Sequence, residues 1–174
     1  AEGTSAGYHH TCAVLDDALY CWGDNSQGQL GDGTYTDSSS PVQVSLPSGR
    51  TASSISTGEA WHSCAILDDG SLYCWGLNSN GQLGDGSTSQ STTPVAVSLP
   101  SGRTAISVST GGHYTCAILD DSSLYCWGDN YYGQLGDGST ADSSTPVAVS
   151  LPSGRTVTSM AAGLAHACTV LDDA

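Results

Sequence analysis

The sequence predicts an all-β protein made of propeller-type blades, with four short strands in each repeat of about 52 residues. Cys12, Cys64, Cys116 and Cys168 stand 52 residues apart, and everything between them recurs. Each copy divides into four short apolar or alternating segments, punctuated by Gly, Pro, Ser and Thr. No stretch carries the 3.6-residue apolar period of a helix.

In the second copy and the start of the third, the strands follow in order. Val95-Ala96-Val97-Ser98-Leu99 alternates apolar and polar residues, and Ala105 to Thr110 alternates through Ile106 and Val108. Thr115 to Leu119 and Leu124 to Trp127 flank the turn Asp120-Asp121-Ser122-Ser123. The same turn is Asp68-Asp69-Gly70-Ser71 one copy earlier, a hairpin signal between apolar runs. Counted from the cysteines, residues 1–11 are expected to end a preceding repeat. Residues 12–63, 64–115 and 116–167 are then three full repeats, and 168–174 opens a truncated fourth.

Composition narrows the function classes. The 174 residues hold 17 acids and 3 arginines, with no lysine, for a net charge of −14. A nucleic-acid surface needs clustered Lys and Arg to displace counterions, so that class is excluded, and an anionic membrane surface is disfavoured. No apolar run approaches the ~18 residues of a membrane helix. Leu, Ile, Val and Phe make up about 17% of the chain, a value that warns of disorder. The strict register of Trp, Cys, Leu and Gly over three copies decides for order. The chain opens on Ala1 rather than Met, which fits a removed leader or a piece of something longer.

One string carries a resemblance. His62-x-Cys64 through Gly86 reads H-x-C-A-I-L-D-D-G-S-L-Y-C-W-G-x-N-S-x-G-Q-L-G-D-G. It resembles the repeat of the regulator of chromosome condensation family, the RCC1-like repeat. Trp75, Gly76, Asn78, Gly81, Gln82, Leu83, Gly84 and Gly86 carry the likeness, and the same positions recur at Trp22 to Gly33 and Trp127 to Gly138. The resemblance spans essentially the whole chain and implies a β-propeller, typically of seven blades. The paired cysteines depart from the founding, intracellular members of that family. A chain with three such repeats is expected not to close a ring alone; further repeats of the same chain, or other copies of it, would complete it as a ring or a filament.

The cysteines sit at the two ends of each hairpin. A three-residue turn places Leu67 opposite Ser71, Ile66 opposite Leu72, and Cys64 opposite Cys74. Cys116 and Cys126 repeat this, and Cys12 faces Cys21 across a two-residue turn. Facing residues of a non-hydrogen-bonded pair lie within disulfide reach. Three in-hairpin disulfides are expected, and with them an oxidising compartment: a secreted, extracellular or cell-surface setting. A zinc site built on His62, Cys64 and Cys74 lacks a fourth ligand, so no metal and no cofactor is expected. Cys168 is left without a hairpin partner, which fits an intermolecular bridge or an unpaired thiol.

The other repeated residues read as structural. Trp22, Trp75 and Trp127 belong to the core pattern, and Leu30, Leu83 and Leu135 are buried pegs in the glycine-rich loops. Those loops lack the Lys and the following helix of a phosphate loop. Asp24-Asn25-Ser26 offers oxygens for calcium, but Leu77 takes the Asp position in the second copy. Arg50, Arg103 and Arg155 are expected to fork onto carbonyls or onto a carboxylate such as Asp32, Asp85 or Asp137. His10, His62 and His166 are expected as hydrogen-bonded strand histidines. Gly3-Thr4-Ser5-Ala6-Gly7 matches a nucleophile motif in spelling only, because it lacks the strand–elbow–helix context. The repeated Asp-Asp pairs are adjacent turn residues rather than separated catalytic carboxylates. No catalytic residue is assigned. Ser/Thr-rich stretches at Thr34 to Ser40, Ser87 to Thr93 and Ser139 to Thr145 each end at a proline, a compositional cue for O-glycosylation.

The expected function is a non-enzymatic extracellular or cell-surface module that binds a protein or assembles with itself. The alternative is a secreted ligand-binding or enzyme-inhibiting propeller. An exchange-factor role, known in the family, is set aside because it needs a reducing compartment and an inserted loop, and the copies are of equal length.

Overall fold

A computed structural model of the chain describes residues 3–172. Fourteen strands follow one another, with no helix among the described residues. Blade 1 is β1 (Gly3–Ala6), β2 (His10–Leu15), β3 (Ala18–Gly23) and β4 (Ser38–Gln43). Blade 2 is β5 (Ala52–Thr57), β6 (His62–Leu67), β7 (Leu72–Gly76) and β8 (Ser91–Ala96). Blade 3 is β9 (Ala105–Thr110), β10 (Tyr114–Leu119), β11 (Leu124–Gly128) and β12 (Ser143–Ala148). The pair β13 (Val157–Ala162) and β14 (Ala167–Leu171) makes a fourth, two-stranded sheet. Each sheet is an antiparallel meander in chain order.

The first strands β1, β5, β9 and β13 line up side by side across the blades, and β4, β8 and β12 lie at the outer edge. Inner strands are tied by hydroxyls. Ser5 Oγ meets Thr57 Oγ1 at 2.9 Å, and Ser56 Oγ meets Thr110 Oγ1 at 2.8 Å. Ser5 is the central residue of the nucleophile-like spelling, and its hydroxyl serves this inter-blade bond. The apolar core lies between blades rather than within them. Val14, Leu19 and Leu30 of blade 1 pack with Leu67 and Trp75 of blade 2, and Ile66, Leu72 and Leu83 of blade 2 pack with Leu119 and Trp127 of blade 3. No blade buries its own face alone, which is the physical reason the repeats must stack.

Three boundaries differ from the sequence reading. The frame counted from the cysteines cuts each sheet after its first strand. Ser5 pairs with Cys12, so β1, within residues 1–11, belongs to blade 1 rather than to a preceding repeat. Likewise Cys168 pairs with Ala161, so the fourth unit starts at Val157 instead of at residue 168. The outer strand of blade 2 runs Ser91–Ala96, not Val95–Leu99. Beyond Ala96 the chain leaves the ladder: Val97 N donates to Leu72 O, and Ser98 N donates to Gly84 O at 2.8 Å. Pro94 is tolerated inside β8 because that strand is an edge. Asp173 and Ala174 of the expected fourth repeat lie outside the described residues.

Candidate protein-binding face

The meander sorts the connections onto two faces. Hairpin turns (β2–β3, β6–β7, β10–β11) and the loops that lead to the next blade share one face. The short β1–β2-type loops and the long β3–β4-type loops share the other.

Midway along the hairpins, buried in the core, Cys12–Cys21, Cys64–Cys74 and Cys116–Cys126 are joined as disulfides, each with a Cα–Cα distance of 4.1 Å. Cys168 is free and exposed. On the turn face, the turn carries the partners of Arg50 and Arg103. Arg50 Nη1 and Nη2 reach Asp68 at 3.3 Å and Asp69 at 2.5 Å, and Arg103 reaches Asp120 at 3.7 Å and Asp121 at 2.7 Å. Arg155 Nη1 donates to the Asp172 carbonyl at 2.5 Å. Asp32, Asp85 and Asp137 are therefore not the arginine partners. They lie on the opposite face, where each caps its own loop by accepting from the backbone N of Thr34, Ser87 or Ser139. The Asp69 and Asp121 carboxyls sit below the ordinary value, first through hydrogen bonds from Ser71 and Ser123 and then through the nearby guanidinium.

On the loop face, one buried amide shapes each long loop. Asn25 Oδ1 accepts from Leu30 N at 3.0 Å, and its Nδ2 donates to the carbonyls of Thr34 and Thr36. Asn78 and Asn130 repeat this on Leu83 and Leu135. Gln29 closes the loop by donating to Asp24 at 2.8 Å, as Gln134 does to Asp129. The Asp24-Asn25-Ser26 oxygens are thus engaged by the protein's own donors. In blade 2 Leu77 replaces the aspartate, and Gln82 Nε2 is buried with no partner.

These loops also clasp the following blade. Trp75 Nε1 and Ser63 Oγ both donate to Gln29 O, at 2.9 and 3.0 Å, and His10 Nε2 lies 2.8 Å from Ser63 Oγ. One blade on, Trp127 Nε1 and Thr115 Oγ1 donate to Gln82 O, with His62 Nε2 3.0 Å from Thr115 Oγ1. Burial lowers both imidazoles to about 4, although Asp24 pulls His10 the other way. The third copy has Tyr114 at this position; its hydroxyl donates to His166 O, and burial raises it to about 12. His166 thus offers its backbone rather than its ring. Trp22, on the first blade, is only partly buried. The Ser or Thr that follows His10, His62 and Tyr114, at Thr11, Ser63 and Thr115, was the sequence signal for this clasp, and sequence reasoning passed over it.

Aromatic side chains stand exposed on the loop face. Tyr8, Tyr131 and Tyr132 are 74%, 73% and 74% exposed. Tyr8 packs edge-on against His9, His9 stacks over Trp61 at 6.2 Å, and Tyr131 packs edge-on against Tyr132 at 4.8 Å. Trp61 holds this place with a φ of 52°, a left-handed conformation costly for a bulky residue. Its carbonyl is fixed by Leu77 N at 2.8 Å. No group of three or more metal-ligating side chains converges among the described residues, and no helix is long and apolar enough to cross a membrane.

Comparison with known proteins agrees with this architecture. The family model of the regulator of chromosome condensation (RCC1) repeat matches residues 16–66, 69–118 and 121–170. The chain is 34% identical over 170 residues to the ultraviolet-B receptor UVR8 of Arabidopsis thaliana, covering 97% of this chain and 38% of that protein. It is 32% identical over 155 residues to the human E3 ubiquitin-protein ligase HERC2, covering 89% of this chain and 3% of that protein. In solved structures it superposes on Prp20p of Saccharomyces cerevisiae with a TM-score of 0.85 at 23% identity, covering 95% of this chain and 42% of Prp20p. The CRINKLY ectodomain of the Arabidopsis thaliana receptor kinase ACR4 matches with a TM-score of 0.57 at 23% identity, over 98% of this chain and 45% of that one. The chain thus spans less than half the length of each. With three consecutive repeats matched across most of its length, the chain belongs to the regulator of chromosome condensation (RCC1) repeat family.

Proposed function

We propose that this chain is a non-enzymatic, protein-binding scaffold of an oxidising, extracellular or cell-surface setting, and that it meets its partner with the aromatic loop face. The observation that carries this is the contrast between copies. The disulfide, tryptophan and arginine positions recur unchanged, whereas Tyr8-His9, Ala60-Trp61 and Gly112-His113 differ, as do Ser26-Gln27, Ser79-Asn80 and Tyr131-Tyr132. Exposed Tyr and Trp are the side chains that most often anchor protein interfaces. Acidic charge around them favours a basic partner surface. Among structural relatives, the Prp20p structure is described with binding to Gsp1p and histones, which are partners of that protein. Three hairpin disulfides support the oxidising setting.

The test is site-specific photocrosslinking in the extracellular fraction of the source organism. A benzophenone side chain at position 132 is expected to give discrete protein adducts that one at position 101, on the opposite face, does not. Equal adducts at both positions would refute the face, and recovery of the chain with reduced cysteines would refute the compartment.

A further inference from the structure

Each blade ends on an outer strand that pairs on one side only: β4 with β3, β8 with β7 and β12 with β11. These strands read Ser-Ser-Ser-Pro-Val-Gln, Ser-Thr-Thr-Pro-Val-Ala and Ser-Ser-Thr-Pro-Val-Ala. None carries a charge, and the chain has no lysine, the residue that most often guards a sheet edge. Each strand bulges at the same place. Cys74 pairs with Val95 and Gly76 with Ser91, so Thr92, Thr93 and Pro94 stand against Trp75 alone. Ser39 to Pro41 stand likewise against Trp22, and Ser144 to Pro146 against Trp127. The first hydroxyl of the strand pins the bulge. Ser91 Oγ donates to Thr93 O at 2.7 Å and accepts from Thr93 N at 3.3 Å, as Ser38 does for Ser40 and Ser143 for Thr145.

The neighbouring hydroxyls have structural tasks. Those of Thr34, Ser87 and Ser139 donate to Asp32, Asp85 and Asp137. Thr92 and Ser144 pack on the preceding blade, where a Cβ on Gly28 would meet Thr92 at 2.9 Å and one on Gly81 would meet Ser144 at 2.5 Å. Ser40, Thr93 and Thr145 are exposed, and among the described residues their hydroxyls make no hydrogen bond. No other position of the Ser/Thr-rich stretches presents an exposed, unengaged hydroxyl in all three copies. Tyr35 stands where Thr88 and Thr140 do, and Ala141 where Thr36 and Ser89 do.

We propose that Ser40, Thr93 and Thr145 are O-glycosylation acceptors, one on the rim of each blade, a reading that rests on the extracellular setting proposed above. The proline that follows each of them lacks an N–H and keeps the acceptor residue extended, as on a peptide laid open to a transferase. The co-substrate is a sugar joined through its anomeric carbon to a phosphate leaving group. The acceptor oxygen bonds to that carbon, the bond from the carbon to the phosphate oxygen breaks, and the hydroxyl proton passes to a base of the transferase. Nothing is oxidised or reduced. The glycan gives the uncharged edge bulk and bound water, which blocks pairing between the outer strands of two molecules.

The test is electron-transfer mass spectrometry of the full chain purified from the source organism, beside Thr93→Val and Thr88→Val made in the same organism. Expected are whole sugar residues on Ser40, Thr93 and Thr145, the loss of one glycan in Thr93→Val, and an unchanged glycan count in Thr88→Val. Thr93→Val keeps the shape of the side chain and removes only a hydroxyl that has no partner, so the fold stands in both variants. Bare hydroxyls at the three positions, phosphate in place of sugar, or equal occupancy of Thr88, Ser89 and Thr140 would overturn the proposal. The cysteines of the same sample separate the two readings. Three intact disulfides beside bare hydroxyls refute the glycans and leave the setting standing, whereas reduced cysteines beside bare hydroxyls refute both.

Discussion

The two faces of the array are made by the same three copies and treat them differently. On the turn face, Arg50 and Arg103 repeat the same contacts to a pair of aspartates, and Val-Ser-Leu-Pro-Ser-Gly-Arg-Thr is spelled identically three times. On the loop face, the frame is equally strict at Asn25, Asn78 and Asn130, but the residues standing on that frame change from copy to copy. Residues that hold the next blade have one workable geometry. Residues that project beyond it are free of that demand, and in this chain they range from glycine, alanine, serine and amides to tyrosine, histidine and tryptophan.

The contrast breaks first at the frame. Gly84→Ala drives a methyl into Trp127 at a residue with φ of 71°, and the combined overpacking and backbone strain are expected to cost about 2–5 kcal/mol. A urea midpoint within error of the parent would show that the junction is softer than the contacts indicate. Next is acid. His10 and His62 are neutral in the folded chain with values near 4, and each takes up a proton on unfolding anywhere between pH 4 and its ordinary 6.5. Stability is therefore complete above about pH 6.5 and falls as the pH drops toward 4, by up to about 3 kcal/mol per ring. Denaturation at pH 7, 5.5 and 4 checks this, and His62→Gln should flatten the slope. The carboxylates of Asp69 and Asp121, held low, keep their contribution until the pH falls below their ordinary 3.8.

Smaller effects sharpen the comparison. Leu77→Asp restores the acceptor that Gln82 lacks, and a gain of about 1–2 kcal/mol is expected. The gain should vanish in a Gln82→Ala background, which a double-mutant cycle reads directly. Arg103→Gln should cost less than about 1 kcal/mol and less still at high salt, because the pair is exposed. Tyr8→Ser with Tyr131→Ser should leave stability within about 0.5 kcal/mol while abolishing the partner adduct formed from position 132.

Much of the fold was legible because its signals are local. A two- or three-residue hairpin turn fixes which cysteines face each other, and the spacing of turn residues marks the strands. The frame of the blade was not legible, since a period can be counted from any residue. Only the pairing of Ser5 with Cys12 shows where a sheet begins. The arginine partners were misplaced because Asp32 and Asp68 are both acidic turn residues near glycines, and the sequence does not say which face each turn occupies. The clasp of His10, Ser63, Gln29 and Trp75 joins residues up to 53 positions apart through a backbone carbonyl. A carbonyl has no letter in the sequence, so half of that contact was invisible there.

That carbonyl has a consequence for how such a chain changes over generations. A joint made through main chain, glycine and one indole asks little of the neighbour's identity, so any unit can follow any other. Unequal crossing-over between two copies, at any pair of equivalent codons, would remove or add one whole unit and leave every remaining joint intact. The second and third copies are nearly identical, and Tyr114, Tyr131 and Tyr132 of the third are among the positions where they differ.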